Sequence, residues 1–174
     1  DNSTVLADGV LAEFNNNYSD SVKIEDAVKF GNTNEELALL RYGTALTLER
    51  RPIIKSIDTL FFKLTKTTQR AYQFRFNAIN LDHPGLTAIL KDKYLGSGTL
   101  VNPNGLTNVN FTVTTDAASS VFNRFMIVFQ SATTLPVTFT SVKAYQKNGR
   151  IAVDWAVENE INIAKYEVEK SVDG

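Results

Sequence analysis

Acid catalysis by paired carboxylates is the first chemistry to weigh in this sequence, because two acids at a suitable separation suffice to cleave a glycosidic bond. The closest pair is Glu158 and Glu160, which flank Asn159 in an expected turn between strands. Charged residues in such a turn are simply solvated. Asp58, Asp82 and Asp92 stand at turns or strand ends, and no spacing picks out two of them as partners. His83, the only histidine, sits in the turn Asp82-His83-Pro84-Gly85. One histidine builds neither a catalytic triad nor a two-histidine metal site. The absence of cysteine removes disulfides, thiolate zinc sites, iron–sulfur clusters and cysteine nucleophiles together. No catalytic residue is expected, and the chain does not read as an enzyme.

Binding chemistry is better represented. Calcium needs only hard oxygen ligands, and Asn15-Asn16-Asn17-Tyr18-Ser19-Asp20 and Asn102-Pro103-Asn104-Gly105 offer them. Neither has the acid spacing of an EF-hand, so no cofactor is expected and calcium is the one ion these loops admit. Sugars are held by exposed aromatics with amides and acids around them. Tyr18, Tyr42 and Tyr94 fall near loop ends, with Asp20 two residues beyond the first. These four are the candidate ligand-binding residues, for a glycan or for another surface protein. Gly96-Ser97-Gly98-Thr99 lacks the lysine and spacing of a phosphate loop and reads as a turn.

The elements that must position these residues follow from composition and period. With 174 residues, 43% hydrophobic and 21% charged, the chain can build one sandwich-sized core plus a fragment, and no apolar run is long enough for a transmembrane helix. Net charge is −1, which argues against nucleic acid, although residues 41–75 are locally basic: Arg41, Arg50, Arg51, Lys55, Lys63, Lys66, Arg70 and Arg75 stand against Glu49 and Asp58. A solvated sheet face balanced by the acidic ends is the expected setting.

Period two dominates. Tyr72, Phe74, Phe76 and Ala78 alternate with polar residues, as do Val109, Phe111 and Val113. Leu60, Phe62 and Leu64 form a third set, with Phe61 suggesting partial cover on both faces. Phe125-Met126-Ile127-Val128-Phe129 is apolar throughout and reads as a central strand. Further strands are predicted at 10–14, 39–42, 45–50 and 86–90, and only 24–30 and 34–38 have the pattern of short helices. Many short strands without a long helix imply an all-β fold: an antiparallel two-sheet sandwich, jelly-roll-like, over residues 1–133.

The remaining residues, 134–174, look like a separate beginning. Pro136 opens a strand, Asn148-Gly149 supplies a hairpin turn, and Ile151, Val153, Trp155 and Val157 alternate with Ala152, Asp154 and Ala156. A third strand is expected around Tyr166 and Val168, before a turn at Asp173-Gly174 from which the chain is expected to continue. Together, Leu135 to Ala144, Ile151 to Trp155, Glu158 to Asn162 and Tyr166 to Gly174 resemble the first three strands of a fibronectin type III-like (immunoglobulin-like) domain. Such domains occur ahead of the C-terminal sorting domain in type IX-secreted surface proteins of Bacteroidetes. The stretches Leu48-Glu49-Arg50-Arg51-Pro52, Asp92-Lys93-Tyr94-Leu95 and Asn123 to Phe129 resemble the sandwich domain found upstream of it. The resemblance implies a bacterial extracellular or outer-surface location, a core role for Trp155, and attachment to the rest of a parent chain. The sequence thus points to a non-catalytic spacer or adhesion module, with a carbohydrate-binding module of an exported polysaccharide-acting enzyme as the alternative.

Overall fold

The computed structural model describes residues 5–81, 85–131, 138–158 and 165–171. The chain divides into two compact units, Asp1–Ala132 and Thr133–Gly174. The first unit is a β-sandwich of unequal layers. Its larger layer joins β1 (Leu11–Phe14), β2 (Ala27–Val28), β3 (Glu36–Arg41), β4 (Thr44–Arg51), β5 (Thr59–Thr65), β7 (Leu86–Asp92), β8 (Ser97–Val101) and β10 (Phe125–Ser131). The smaller is a two-stranded ribbon of β6 (Ala71–Ala78) and β9 (Gly105–Thr112). Strand order in the large sheet is β1-β4-β3-β5-β10-β7-β8, with β2 also on β4. All its pairings are antiparallel except β1 with β4, which run parallel from Leu11↔Leu48 to Phe14↔Arg51.

Alternation explains the layering. On the ribbon, Phe74 and Phe111 are buried while Gln73, Arg75 and Asn110 between them are exposed. Opposite them the apolar strand β10 buries Phe125, Ile127 and Phe129. The Phe74 ring lies 4.9 Å from Phe111 and 4.9 Å from Phe125, the latter edge-on, and Phe111 meets Phe125 at 4.7 Å. Each such aromatic pair adds about 1 kcal/mol beyond the area it buries. This cluster binds the ribbon to the sheet. Phe61, on the opposite face of β5, is 49% exposed, so that face is not covered in full.

Two segments with helical pattern are not helices. Residues 27–28 pair with β4, and β3 starts at Glu36 with Glu36↔Thr65 as its first pair to β5. Tertiary pairing overrides weak local propensity here. The Asp8 carboxylate helps to fix the start of β3 by accepting from the Leu37 amide at 2.7 Å and from Lys29 Nζ at 2.6 Å. A further departure is β8, which occupies a stretch read as a turn. Gly96, at φ +64°, makes the turn, whereas Gly98 belongs to the strand. A Cβ on Gly98 would lie 3.0 Å from Ile89 Cγ2 and 3.3 Å from Lys91 Nζ, so glycine lets those side chains lean over the edge.

The second unit is a hairpin of β11 (Thr138–Lys147) and β12 (Arg150–Glu158). Asn148 and Gly149 both take positive φ, 52° and 74°, which is the geometry that an Asn-Gly type I′ turn supplies. One face carries Val142 opposite Trp155 and Ala144 opposite Val153. Residues 165–171 form no strand ladder. The segment instead sets Tyr166 at 5.9 Å from Trp155 and 6.2 Å from Phe139. Trp155 is 39% exposed, so it is a half-covered packing residue rather than a fully buried one. His83, Asp82, Glu160 and the junction at Leu135 lie outside the described residues. No described helix is long and apolar enough to cross a membrane.

Candidate functional site

The β3–β4 hairpin turns through Tyr42 at φ 47° and Gly43 at φ 81°. Both central residues of such a turn must be left-handed, a conformation natural to glycine or asparagine and costly for a bulky aromatic. Arg41, the last residue of β3, continues the inward period of Leu39 and is only 6% exposed. Its Nη1 donates to Glu49 Oε1 at 3.2 Å, and its Nη2 donates to Asp20 Oδ1 at 2.8 Å and to the Asp20 carbonyl. The Tyr42 hydroxyl donates to Asp20 Oδ2 at 3.1 Å, and the Arg41 guanidinium carbon sits 5.5 Å over the Tyr42 ring. Asp20 and Tyr42, distant in sequence, are therefore one cluster.

Behind them, Glu49 is 2% exposed and also faces Arg51 Nη1 at 3.5 Å. Burial pushes its carboxyl above the usual range, against the pull of Arg51 and Arg41 and with a small push from Asp26. Arg51 passes the chain on to Asp58 Oδ1 at 3.0 Å. Tyr18 is engaged separately. Its ring lies 5.6 Å from the Arg50 guanidinium carbon, and its hydroxyl donates to Glu13 Oε2 at 3.4 Å. Arg50 Nε donates to the same oxygen at 2.6 Å, and this hydrogen bond is the main cause that holds the Glu13 carboxyl below its ordinary value. The loop carrying Tyr18 and Asp20 is fastened at a further point, where the Ser19 amide donates to Glu25 Oε1 at 3.2 Å.

Tyr94 lies elsewhere, between β7 and β8, with β5 and β10 separating it from β3 in the sheet. Its ring covers the Arg124 guanidinium at 4.8 Å. Arg124 is 3% exposed and makes four donations: Nε to Asp92 Oδ1 (2.8 Å), Nη2 to Asp92 Oδ2 (2.7 Å), and Nη1 to the carbonyls of Thr112 (3.0 Å) and Ser119 (2.7 Å). Asp92 also accepts from the amides of Tyr94 and Leu95, closing the β7–β8 turn. Burial raises the Asp92 carboxyl, and the Arg124 and amide hydrogen bonds outweigh it, leaving the carboxyl below its ordinary value.

The basic stretch 41–75 is thus not a solvated face throughout. Arg41, Arg50 and Arg51 are paired as above, Lys66 meets Glu36 at 3.2 Å, and Arg70 meets Glu35. Burial of Arg41 and Glu49 is what sequence reasoning missed. The signal was present in the continuation of the Leu39 period into Arg41. The amides of the two asparagine loops are used locally: Asn15 Oδ1 accepts from the Asn17 amide at 3.0 Å, and Asn102 Oδ1 from the Asn104 amide at 3.0 Å. Among the described residues no group of three or more acidic or histidine side chains is set to hold a metal.

Comparison with known proteins adds no family: no family model matches the chain, and no match arises among curated proteins or solved structures. The site itself defines an all-β scaffold whose carboxylates are engaged by guanidinium groups and whose Tyr42 ring stands outward.

Proposed function

We propose that the chain is a non-catalytic β-sandwich module of an exported bacterial cell-surface protein, acting as a spacer or adhesion domain. The observation that carries this reading is the use of its charged groups. Asp20, Glu49, Asp58 and Asp92 each accept from an arginine, and those arginines tie loops to strands. Chemistry of this kind holds a scaffold in shape. The resemblance of residues 134–174 to a fibronectin type III-like domain supports the surface context. Incubation of the purified chain with a panel of chromogenic glycosides and esters tests the first part of the reading; turnover above the uncatalysed rate would contradict it.

A second reading, a carbohydrate-binding module attached to a polysaccharide-acting enzyme, is favoured by the exposed Tyr42 ring beside Asp20. A glycan array separates it from a spacer, since a spacer leaves every glycan unbound.

A further inference from the structure

We infer that Tyr42 and Asp20 form a stacking subsite for one neutral hexopyranose residue of an external glycan. The inference rests on the carbohydrate-binding reading and gives it an address. Tyr42 is 73% exposed and sits at φ 47°, at a turn position where asparagine or glycine would be free of strain. A bulky residue in a strained, outward position carries a cost that the turn itself does not require, which points to a role for the ring.

The ring is also fixed before any ligand arrives. Arg41 backs one face at 5.5 Å, and Asp20 Oδ2 accepts from the hydroxyl at 3.1 Å. Arg41 is itself held by Glu49. A pre-organised ring loses little rotational freedom on binding. Its outer face offers π surface to the C–H side of a pyranose. Asp20, with its side chain 72% exposed, keeps lone pairs that accept sugar hydroxyls. The same carboxylate repels uronates and sialic acids, so the sugar is uncharged. Tyr18 is not part of this subsite, because its hydroxyl and ring are committed to Glu13 and Arg50.

The test is an amide-detected NMR titration of the full 174-residue chain. The probes are soluble β-glucan, mannan and galactan oligosaccharides, with oligogalacturonate as the acidic control. At least one neutral sugar should shift the amides of Asp20, Gly43 and Thr44. Tyr42→Asn should weaken that binding by about tenfold or more while the remaining spectrum stays folded, because asparagine accepts the left-handed conformation. Tyr42→Phe should retain most of it, since the stacking face survives. A neutral sugar that binds Tyr42→Asn as tightly as the wild type would overturn the subsite and leave the carbohydrate reading standing. Silence from every sugar would overturn both. Tighter binding of oligogalacturonate than of any neutral sugar would overturn the assignment of an uncharged ligand.

Discussion

Arg124 grips Asp92 side-on, Nε to Oδ1 at 2.8 Å and Nη2 to Oδ2 at 2.7 Å, at a point where three parts of the first unit meet. Asp92 ends β7, Arg124 precedes β10, and the third guanidinium nitrogen reaches the carbonyl of Thr112, which ends β9, and that of Ser119 beyond it. The fork also lies against the rings of Tyr94, Phe111 and Phe125 at 4.7 to 5.4 Å. Lysine has neither the planar fork nor the stacking surface.

Removing one partner leaves the other buried and unpaired. Asp92→Ala should therefore cost about 3–5 kcal/mol of unfolding free energy. Arg124→Lys should be strongly destabilising despite conserving charge. Urea denaturation of each variant against the wild type measures both, and a loss for Asp92→Ala below about 1 kcal/mol would show the pair to be incidental.

The same pair sets a dependence on acid. The folded carboxyl of Asp92 lies below its unfolded value of 3.8, so as pH falls the unfolded chain takes up the proton first. Its contribution is present above about pH 4 and is lost as pH drops through the folded value. Melting temperature followed from pH 7 down to acid should fall less steeply in Asp92→Asn than in the wild type.

Glu49 behaves in the opposite sense. Burial raises its folded value above 4.5, so the folded state holds the proton more tightly, and stability from this group is present below that value and lost as pH rises through the folded one. Glu49→Gln should accordingly stay within about 1 kcal/mol of the wild type at neutral pH, whereas Glu49→Ala leaves a cavity and two arginines short of a partner. The difference between the two variants in urea midpoint reads this directly.

Tyr42 carries a strain that asparagine would not. Relief of the left-handed conformation is worth about 1–2 kcal/mol, and loss of an exposed hydroxyl bond to Asp20 offsets about 0.5–1 kcal/mol of it. Tyr42→Asn should therefore match or exceed the wild-type denaturation midpoint.

Trp155 is the only tryptophan and reports on the second unit by itself. Its ring is half-covered, with Tyr166 at 5.9 Å. Tyr166→Ala should red-shift its fluorescence and make acrylamide quenching more efficient. An unchanged spectrum would mean that the 165–171 segment does not cover the ring.

Much of this fold was legible because strands with one buried face announce themselves by period two. Phe74, Phe111 and the apolar Phe125 to Phe129 run located the core and the central strand, and Asn148-Gly149 located the hairpin turn. Less legible was whatever depends on long-range pairing. The β8 strand hides behind two glycines whose roles differ, one turning the chain and one making room for Ile89 and Lys91. Residues 27–28 and 36–38 became strand because β4 and β5 offered edges. Of the candidate site residues, Asp20 and Tyr42 meet directly and share the buried Arg41, Tyr18 is bound to Arg50, and Tyr94 roofs Arg124. A sequence shows the tyrosines but not which arginine each one meets.

The proposed surface location is tested most directly on intact bacteria producing the protein, by protease treatment followed by antibody detection of this segment. The segment's signal should be lost while a cytoplasmic marker remains intact. Protection of the segment until the cells are lysed would contradict it.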